Sequence, residues 1–183
     1  MLRGAAKGRA VYGVRGWVAT APTPQQATTT EPTDNAQQTT GDYKTATYTV
    51  DGQEVDLVGG VSEVPIAPDA ATNITTKYFG NEATGDLNGD GLPDVAFILT
   101  QNSGGSGTFY YVVVALKTVD GYQGTNAVLL GDRVAPQTTE IQSGQLVVNY
   151  ADRKAGEPMT TQPSVGMSTY LTVQGNTLVE VAH

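Results

Sequence analysis

Cysteine is absent from this chain, and its one histidine is His183. Disulfide frameworks, thiolate nucleophiles, zinc fingers and histidine-based triads are therefore excluded together. Lack of cysteine does not fix the compartment, because a chain large enough to bury a core needs no covalent staples for export. Long apolar runs are missing too, and none approaches the ~20 residues that a membrane-spanning helix requires. No segment sustains a helical period, so helices are not expected. Basic residues are few. The formal net charge of −8 and sequence pI near 4.4 argue against nucleic-acid partners and against docking on anionic lipid.

What is present suffices for one domain with a core and an extension: 183 residues, 39% of them hydrophobic. Charge is divided unevenly. Arg3, Lys7, Arg9 and Arg15 stand without an acid in the first twenty residues, while the chain from Asp42 onward carries 16 acids and 6 bases, a balance of −10. Residues 1–20 form a basic leader without the 7 to 15 residue apolar stretch of a competent signal peptide. Such a leader reads as an organellar presequence, as a start that has lost its signal, or as a plain disordered tail. Residues 21–41 turn to Thr, Pro, Gln and Ala, too little apolar area to offset ordering entropy, which predicts a solvated linker. It would tether a domain to a surface or serve as an ordinary disordered terminus.

Residues 42–183 read as an all-β, antiparallel domain, a single sheet or a sandwich. Strands are expected over Thr45–Val50, Glu54–Val58, Ser62–Ile66, Asn73–Phe79, Val95–Thr100, Thr108–Leu116, Gly121–Leu130, Thr138–Ile141, Leu146–Tyr150, Ser168–Val173 and Thr177–Val181. Asp51-Gly52, Gly59-Gly60, Asp120-Gly121, Ser143-Gly144 and Gly175-Asn176 supply the turns between them. The two most apolar strands, 95–100 and 108–116, must be central. Gln101–Gly107 between them is too short for a crossover helix, so they should pair antiparallel.

The most informative stretch is Gly85-Asp86-Leu87-Asn88-Gly89-Asp90-Gly91-Leu92-Pro93-Asp94, with oxygen-bearing side chains at positions 1, 3, 5 and 9 of a nine-residue turn. A hard cation such as calcium takes six to eight oxygens, and alternate residues of a tight loop converge several of them. Asp86, Asn88, Asp90 and Asp94 would supply side chains, Leu92 its carbonyl, and water the rest. Gly91 suits the reversal that follows the third ligand. Pro93 disfavours a helix after the loop, and the twelfth position is Phe97 rather than the glutamate of an EF-hand, which excludes that motif. The competing reading is a metal-free Asx-rich turn. Against it, carboxylates within about 5 Å would repel by roughly 3 kcal/mol per pair at an effective dielectric near 20. Magnesium fits less well, because it demands strict octahedral geometry.

Phe79-Gly80 followed by Gly85-Asp86-Leu87-Asn88-Gly89-Asp90-Gly91-Leu92-Pro93-Asp94-Val95-Ala96 resembles the FG-GAP or VCBS-type calcium-binding repeat of integrin-like propellers and bacterial surface proteins. The resemblance implies that Asp86, Asn88, Asp90, Leu92 and Asp94 are calcium ligands in a loop between strands. It covers a small part of the chain, and a propeller needs at least about four blades, for which neither repeats nor length are present. Elsewhere, Gly104–Tyr111 and Leu130–Gln137 look similar to uncharacterised domains of bacterial envelope proteins and lipoproteins, a kinship that implies no activity.

Other constellations carry less. Asp132-Arg133 and Asp152-Arg153 echo one another, each after an apolar strand. They read as a polar pocket with arginine as a bidentate clamp, or as structural pairs at strand ends. Asp132, Asp152 and Glu157 would need a separation of ~5 to 9 Å to act as glycosidase carboxylates. Ser106 lacks the strand-to-helix elbow of a hydrolase nucleophile. Tyr110, Tyr111, Tyr122, Tyr150 and Tyr170 would line a sugar-binding face or fill the core. Asn73-Ile74-Thr75 is a formal glycosylation sequon, meaningful only after eukaryotic export.

The expected function is a calcium-stabilised, non-enzymatic, extracytoplasmic β-domain, secreted or tethered to a cell envelope, with a cell-surface protein or carbohydrate as partner. Affinity in the ~0.1 to 1 mM range of extracellular modules would leave such a loop empty in cytosol. The alternative is a hydrolase or enzyme-inhibitor domain using Asp132, Arg133, Asp152 and Arg153.

Overall fold

In a computed structural model that describes residues 41–182, the β-forming runs expected from the sequence become strands, all but 121–130 as single ones, and the turn pairs between them reverse the chain. The leader and the linker lie outside the described residues, Gly41 apart, as does His183. A 3-10 turn over Tyr43–Thr45 is followed by β1 (Thr47–Val50), β2 (Gln53–Asp56), β3 (Val61–Pro65), β4 (Asn73–Gly85), β5 (Asp94–Asn102) and β6 (Phe109–Thr118). Then come β7 (Gly121–Gly124), β8 (Val128–Asp132), β9 (Ala135–Gln142), β10 (Gln145–Asp152), β11 (Val165–Gln174) and β12 (Thr177–Glu180). The domain is all-β, and every ladder is antiparallel; one isolated parallel bridge joins Thr49 and Asn126.

Three sheets form rather than one. A six-stranded sheet runs β3-β4-β5-β6-β7, with β8 also on β6; β9 to β12 make a four-stranded meander in the order β12-β11-β10-β9; β1 and β2 form a hairpin. The cause lies in β5 and β6, whose apolar runs leave no polar face. Alternate side chains of a strand point to opposite faces, so each face of this pair needs its own cover. Val95, Phe97 and Leu99 with Tyr111, Val113 and Ala115 pack against Ala46, Tyr48, Val50, Val55 and Leu57 of the hairpin layer. Ala96, Ile98, Val112, Val114 and Leu116 pack instead against Leu146, Val148, Tyr150, Leu171 and Leu178 of the meander. Phe97 is fully buried, with the rings of Tyr43, Tyr48 and Tyr78 at 5.5 to 5.6 Å around it.

Two departures from the expected strands have steric or hydrogen-bonding causes. The run 121–130 is broken into β7 and β8, which pair with successive halves of β6. At Gly124 the chain meets the hairpin so closely that a Cβ there would lie 2.1 Å from the Thr47 carbonyl oxygen. The Thr49 and Ala127 amides then bond across this crossing, to Thr125 and Thr49 carbonyls. Strand β4 continues past Phe79 to Gly85 because it bulges, its register shifting around Gly80 (φ 113°) and Asn81 (φ 59°). Such bulges aim successive side chains in new directions. Asn81 Nδ2 donates to Thr139 Oγ1 of the meander at 2.9 Å. Its neighbour Glu82 accepts from the Tyr43 hydroxyl at 2.6 Å and from the Tyr78 hydroxyl, with Lys44 Nζ 3.7 Å away.

Those phenol hydrogen bonds, and secondarily the Lys44 charge, hold Glu82 below the usual carboxylate range. A depressed folded value stabilises above the unfolded value, near 4.3, and the contribution is lost as pH falls through the folded value. The side chain is 37% exposed, which limits the effect to about 1 kcal/mol. Glu82→Gln should therefore lower stability by that amount at pH 7, and urea denaturation repeated at falling pH should show the two proteins converging below pH 4. Parallel curves throughout would contradict the assignment.

Candidate functional site

The Asp-rich loop joins β4 to β5, where Pro93 and the following apolar run fix a strand rather than a helix. Leu87 anchors it in the core beside the meander, and Gly89 (φ 80°) and Gly91 (φ 83°) take the left-handed backbone that tightens it. Asp86 closes the turn with both oxygens, Oδ1 accepting from the Gly89 amide at 2.7 Å and Oδ2 from that of Gly91 at 2.9 Å. Asn88 Oδ1 accepts from the Asp90 amide, Asp90 Oδ1 from the Leu92 amide at 2.7 Å, and Asn88 Nδ2 donates to Asp90 Oδ2. Asp86, Asn88 and Asp90 are exposed; Asp94 is fully buried.

Asp94 joins the loop to the sheet. Its Oδ2 accepts from the Leu87 amide at 2.9 Å and its Oδ1 from the Lys117 amide on β6 at 2.8 Å. Burial pushes its carboxyl above the usual range, the two amide bonds oppose that, and the nearby charges of Asp90 and Asp86 add to it. Neither of the two ion pairs formed among the described residues, Lys44 with Glu82 and Arg133 with Asp132, reaches this loop.

The donor set is of the right type for a hard cation, oxygen throughout and clustered in nine residues. In this conformation its oxygens face the loop's own amides, the hydrogen-bonding pattern of Asx turns. Among the described residues no three His, Cys, Asp or Glu side chains stand close enough together to hold a metal ion.

The second sequence constellation does not split into two separate pairs, because Arg153 reaches the Arg133 carbonyl. Arg133 forks onto its own neighbour, Nε to Asp132 Oδ1 at 3.2 Å and Nη2 to Oδ2 at 3.0 Å, and its amide donates to the Thr108 carbonyl at 2.7 Å. These contacts hold its backbone at a φ of 50°, unusual for a side chain with a Cβ. Asp132 also accepts from the Thr108 amide, and the Arg133 hydrogen bonds lead the causes that hold its carboxyl below the usual range. Arg153 behaves differently despite the sequence echo. Its Nε donates to the Thr161 carbonyl at 2.6 Å and its Nη1 to the Arg133 carbonyl at 3.0 Å, while Asp152 accepts from the Arg153 amide. The network ties the β8–β9 turn to the end of β10. Glu157 accepts locally from the Lys154 amide.

The tyrosines divide between layers. Tyr150 and Tyr110 belong with the meander-side core, Tyr111 and Tyr122 with the hairpin-side core, so these four do not share one face. Sequence reasoning missed a different feature, a depression of about 280 Å³ lined by Asp51, Gln101, Ser103, Phe109, Tyr111 and Leu129. The one local signal was Phe109, an aromatic residue at the outer end of the apolar β6 run. Against protein-family models, curated proteins and solved structures, the chain finds no match.

Asp94 and the exposed acids should separate on mutation. Asp94→Ala strands two amides at the loop–sheet junction, each worth about 1 to 3 kcal/mol when unsatisfied, whereas Asp90→Ala frees only amides that water can reach. Urea denaturation in EDTA is expected to give a loss of about 2 to 6 kcal/mol for the first and under about 1 kcal/mol for the second. Equal losses would remove Asp94 from its structural role.

Proposed function

We propose that this protein is a calcium-stabilised, non-enzymatic binding or structural module that works outside the cytoplasm. One observation carries the reading: three carboxylates lie within nine residues, one of them fully buried, and among the described residues no lysine or arginine pairs with any of them. Unpaired charge of this kind is relieved by protonation or by a cation. The ligands would be Asp86, Asn88, Asp90 and Asp94 with the Leu92 carbonyl, completed by water. Because Asp94 holds both Leu87 and Lys117, an ion there would brace the entry to β5 against β6 and act as a staple, with no catalytic step. A single exposed loop of this charge suits millimolar calcium, which favours an exported protein, and the Thr/Pro-rich residues 21–41 suit a tether. The Asp132–Arg153 network belongs to the same structural economy, since Arg153 is turned onto backbone carbonyls rather than outward.

Calcium at a hundredfold excess over its dissociation constant should add about 2.7 kcal/mol, read as a higher Tm by scanning calorimetry against an EDTA sample. Magnesium should do much less, and Asp90→Ala should abolish the calcium increment while leaving the far-ultraviolet spectrum of the apo protein unchanged. The sign of pH dependence follows from Asp94. Its raised folded value makes the apo protein lose stability as pH rises from the unfolded value, near 3.9, through the folded one, and calcium should flatten that decline. Superimposable melts with and without millimolar calcium would sink the proposal.

A further inference from the structure

The central sheet outruns its cover on the hairpin side. The two-residue turn Asp51-Gly52 ends the hairpin above Tyr111, and beyond it the cross-strand pair Gln101 and Phe109 is left uncovered on the same face. Leu129 of β8 stands opposite Tyr111. Between them lies the depression of about 280 Å³, to which the loop 103–107 contributes Ser103. Two large apolar side chains are exposed here, Phe109 at 37% and Leu129 at 53%.

Several of these groups are held in place without being used up. Asp51 sits at a φ of 50° before Gly52 at 79°, the backbone of a tight hairpin turn, and its Oδ2 accepts from the Tyr111 hydroxyl at 2.7 Å. Its other oxygen has no partner among the described hydrogen bonds, and among the described residues no basic side chain lines the depression. Gln101 Nε2 donates to Thr76 Oγ1 at 3.1 Å, which orients the amide and leaves it a second N–H and its carbonyl. The Phe109 ring lies over Gly107, where a Cβ would come within 3.2 Å of it. Asn102 fixes the loop behind the ring, accepting from Gly104 and donating to the Gly107 carbonyl.

We propose that this depression binds a neutral saccharide, with a sugar ring laid against Phe109 and Leu129 and its hydroxyls bonded to Asp51, Gln101 and Ser103. A pyranose presents apolar C–H patches and a rim of groups that both donate and accept. The lining matches that pattern: apolar surface, one acceptor-only carboxylate, and an amide and a hydroxyl that do both. Acidic ligands are opposed by Asp51 and by the −10 balance of the chain from Asp42 onward. An ammonium ligand would satisfy Asp51 but leave the free Gln101 N–H without an acceptor. The inference extends the binding-module reading to a ligand class and uses no residue of the Asp-rich loop.

The test is native affinity electrophoresis in gels containing soluble starch, xylan, galactomannan or mixed-linkage β-glucan, each run with calcium and with EDTA. Retardation by at least one polysaccharide is expected under both conditions, so failure of the calcium staple and failure of this site are distinguishable. Phe109→Ala should weaken the apparent affinity at least about tenfold, the equivalent of one well-packed contact residue. Asp51→Asn keeps the turn and an acceptor for Tyr111, and should weaken binding with an unchanged melt. Val119→Ser, far exposed on the β6–β7 turn, should bind as the parent does. No retardation in any of the four gels, or undiminished retardation of Phe109→Ala, would overturn the proposal. So would Phe109 ring resonances that shift with tetramethylammonium and not with the polysaccharides.

Discussion

Burial of the β5–β6 pair on both faces is the constraint from which the rest of the architecture follows. Antiparallel sheets commonly keep one wet face, but here odd-numbered side chains from Val95 to Leu99 and Tyr111 to Ala115 go to the hairpin, and even-numbered ones from Ala96 and Val112 go to the meander. A slip of one residue would exchange the two sets. It would drive Phe97 out of its ring of tyrosines and set Ala96 in its place. Register is therefore fixed twice, once by each layer. The bulge at Gly80–Glu82 serves the same arrangement from β4, since adjacent residues reach the meander through Asn81 and the hairpin side through Glu82.

The Asp-rich loop is coupled to that pair through one side chain. Asp94 is the first residue of β5, and it reaches back to Leu87 and across to Lys117 on β6. Events in the loop are thus felt at the best-buried place in the molecule. This is why a cation at an exposed turn would alter global stability rather than order a few residues. The same coupling explains why Asp94 has two jobs that pull apart: two amide bonds favour its charge, while burial and the neighbouring acids oppose it.

Much of this was legible in the sequence where the causes are local. Asp51-Gly52, Ser143-Gly144 and Gly175-Asn176 reverse the chain between paired strands as their backbone preferences dictate. The 95–100 and 108–116 runs are central and antiparallel. Gly91 takes positive φ. What escaped was set by contacts between distant segments. The number of sheets depends on which layer covers which face, and periodicity reports only that both faces are apolar. The break at Gly124 comes from the Thr47 carbonyl, 77 residues earlier in the chain. The echo of Asp132-Arg133 and Asp152-Arg153 promised equivalence, yet one arginine forks onto its carboxylate and the other onto carbonyls, because only the second faces the β8–β9 turn. The depression at Asp51, Gln101 and Phe109 draws on three separate segments, and no single segment carries its pattern.

The treatment of acids across the domain bears on what the loop is for. Glu82 is met by two phenols and a lysine, and Asp132 by an arginine fork and a backbone amide; both carboxyls are held below the usual range. Asp94 is the contrast, a buried acid near two others, shifted upward. The fold supplies phenol and cationic partners at Glu82 and Asp132, whereas among the described residues the 86–94 loop receives amides alone. Amides satisfy lone pairs but cancel no net charge. In the proposed reading, a divalent ion would bring positive charge to the oxygen ligands of this solvent-open turn without a further side chain.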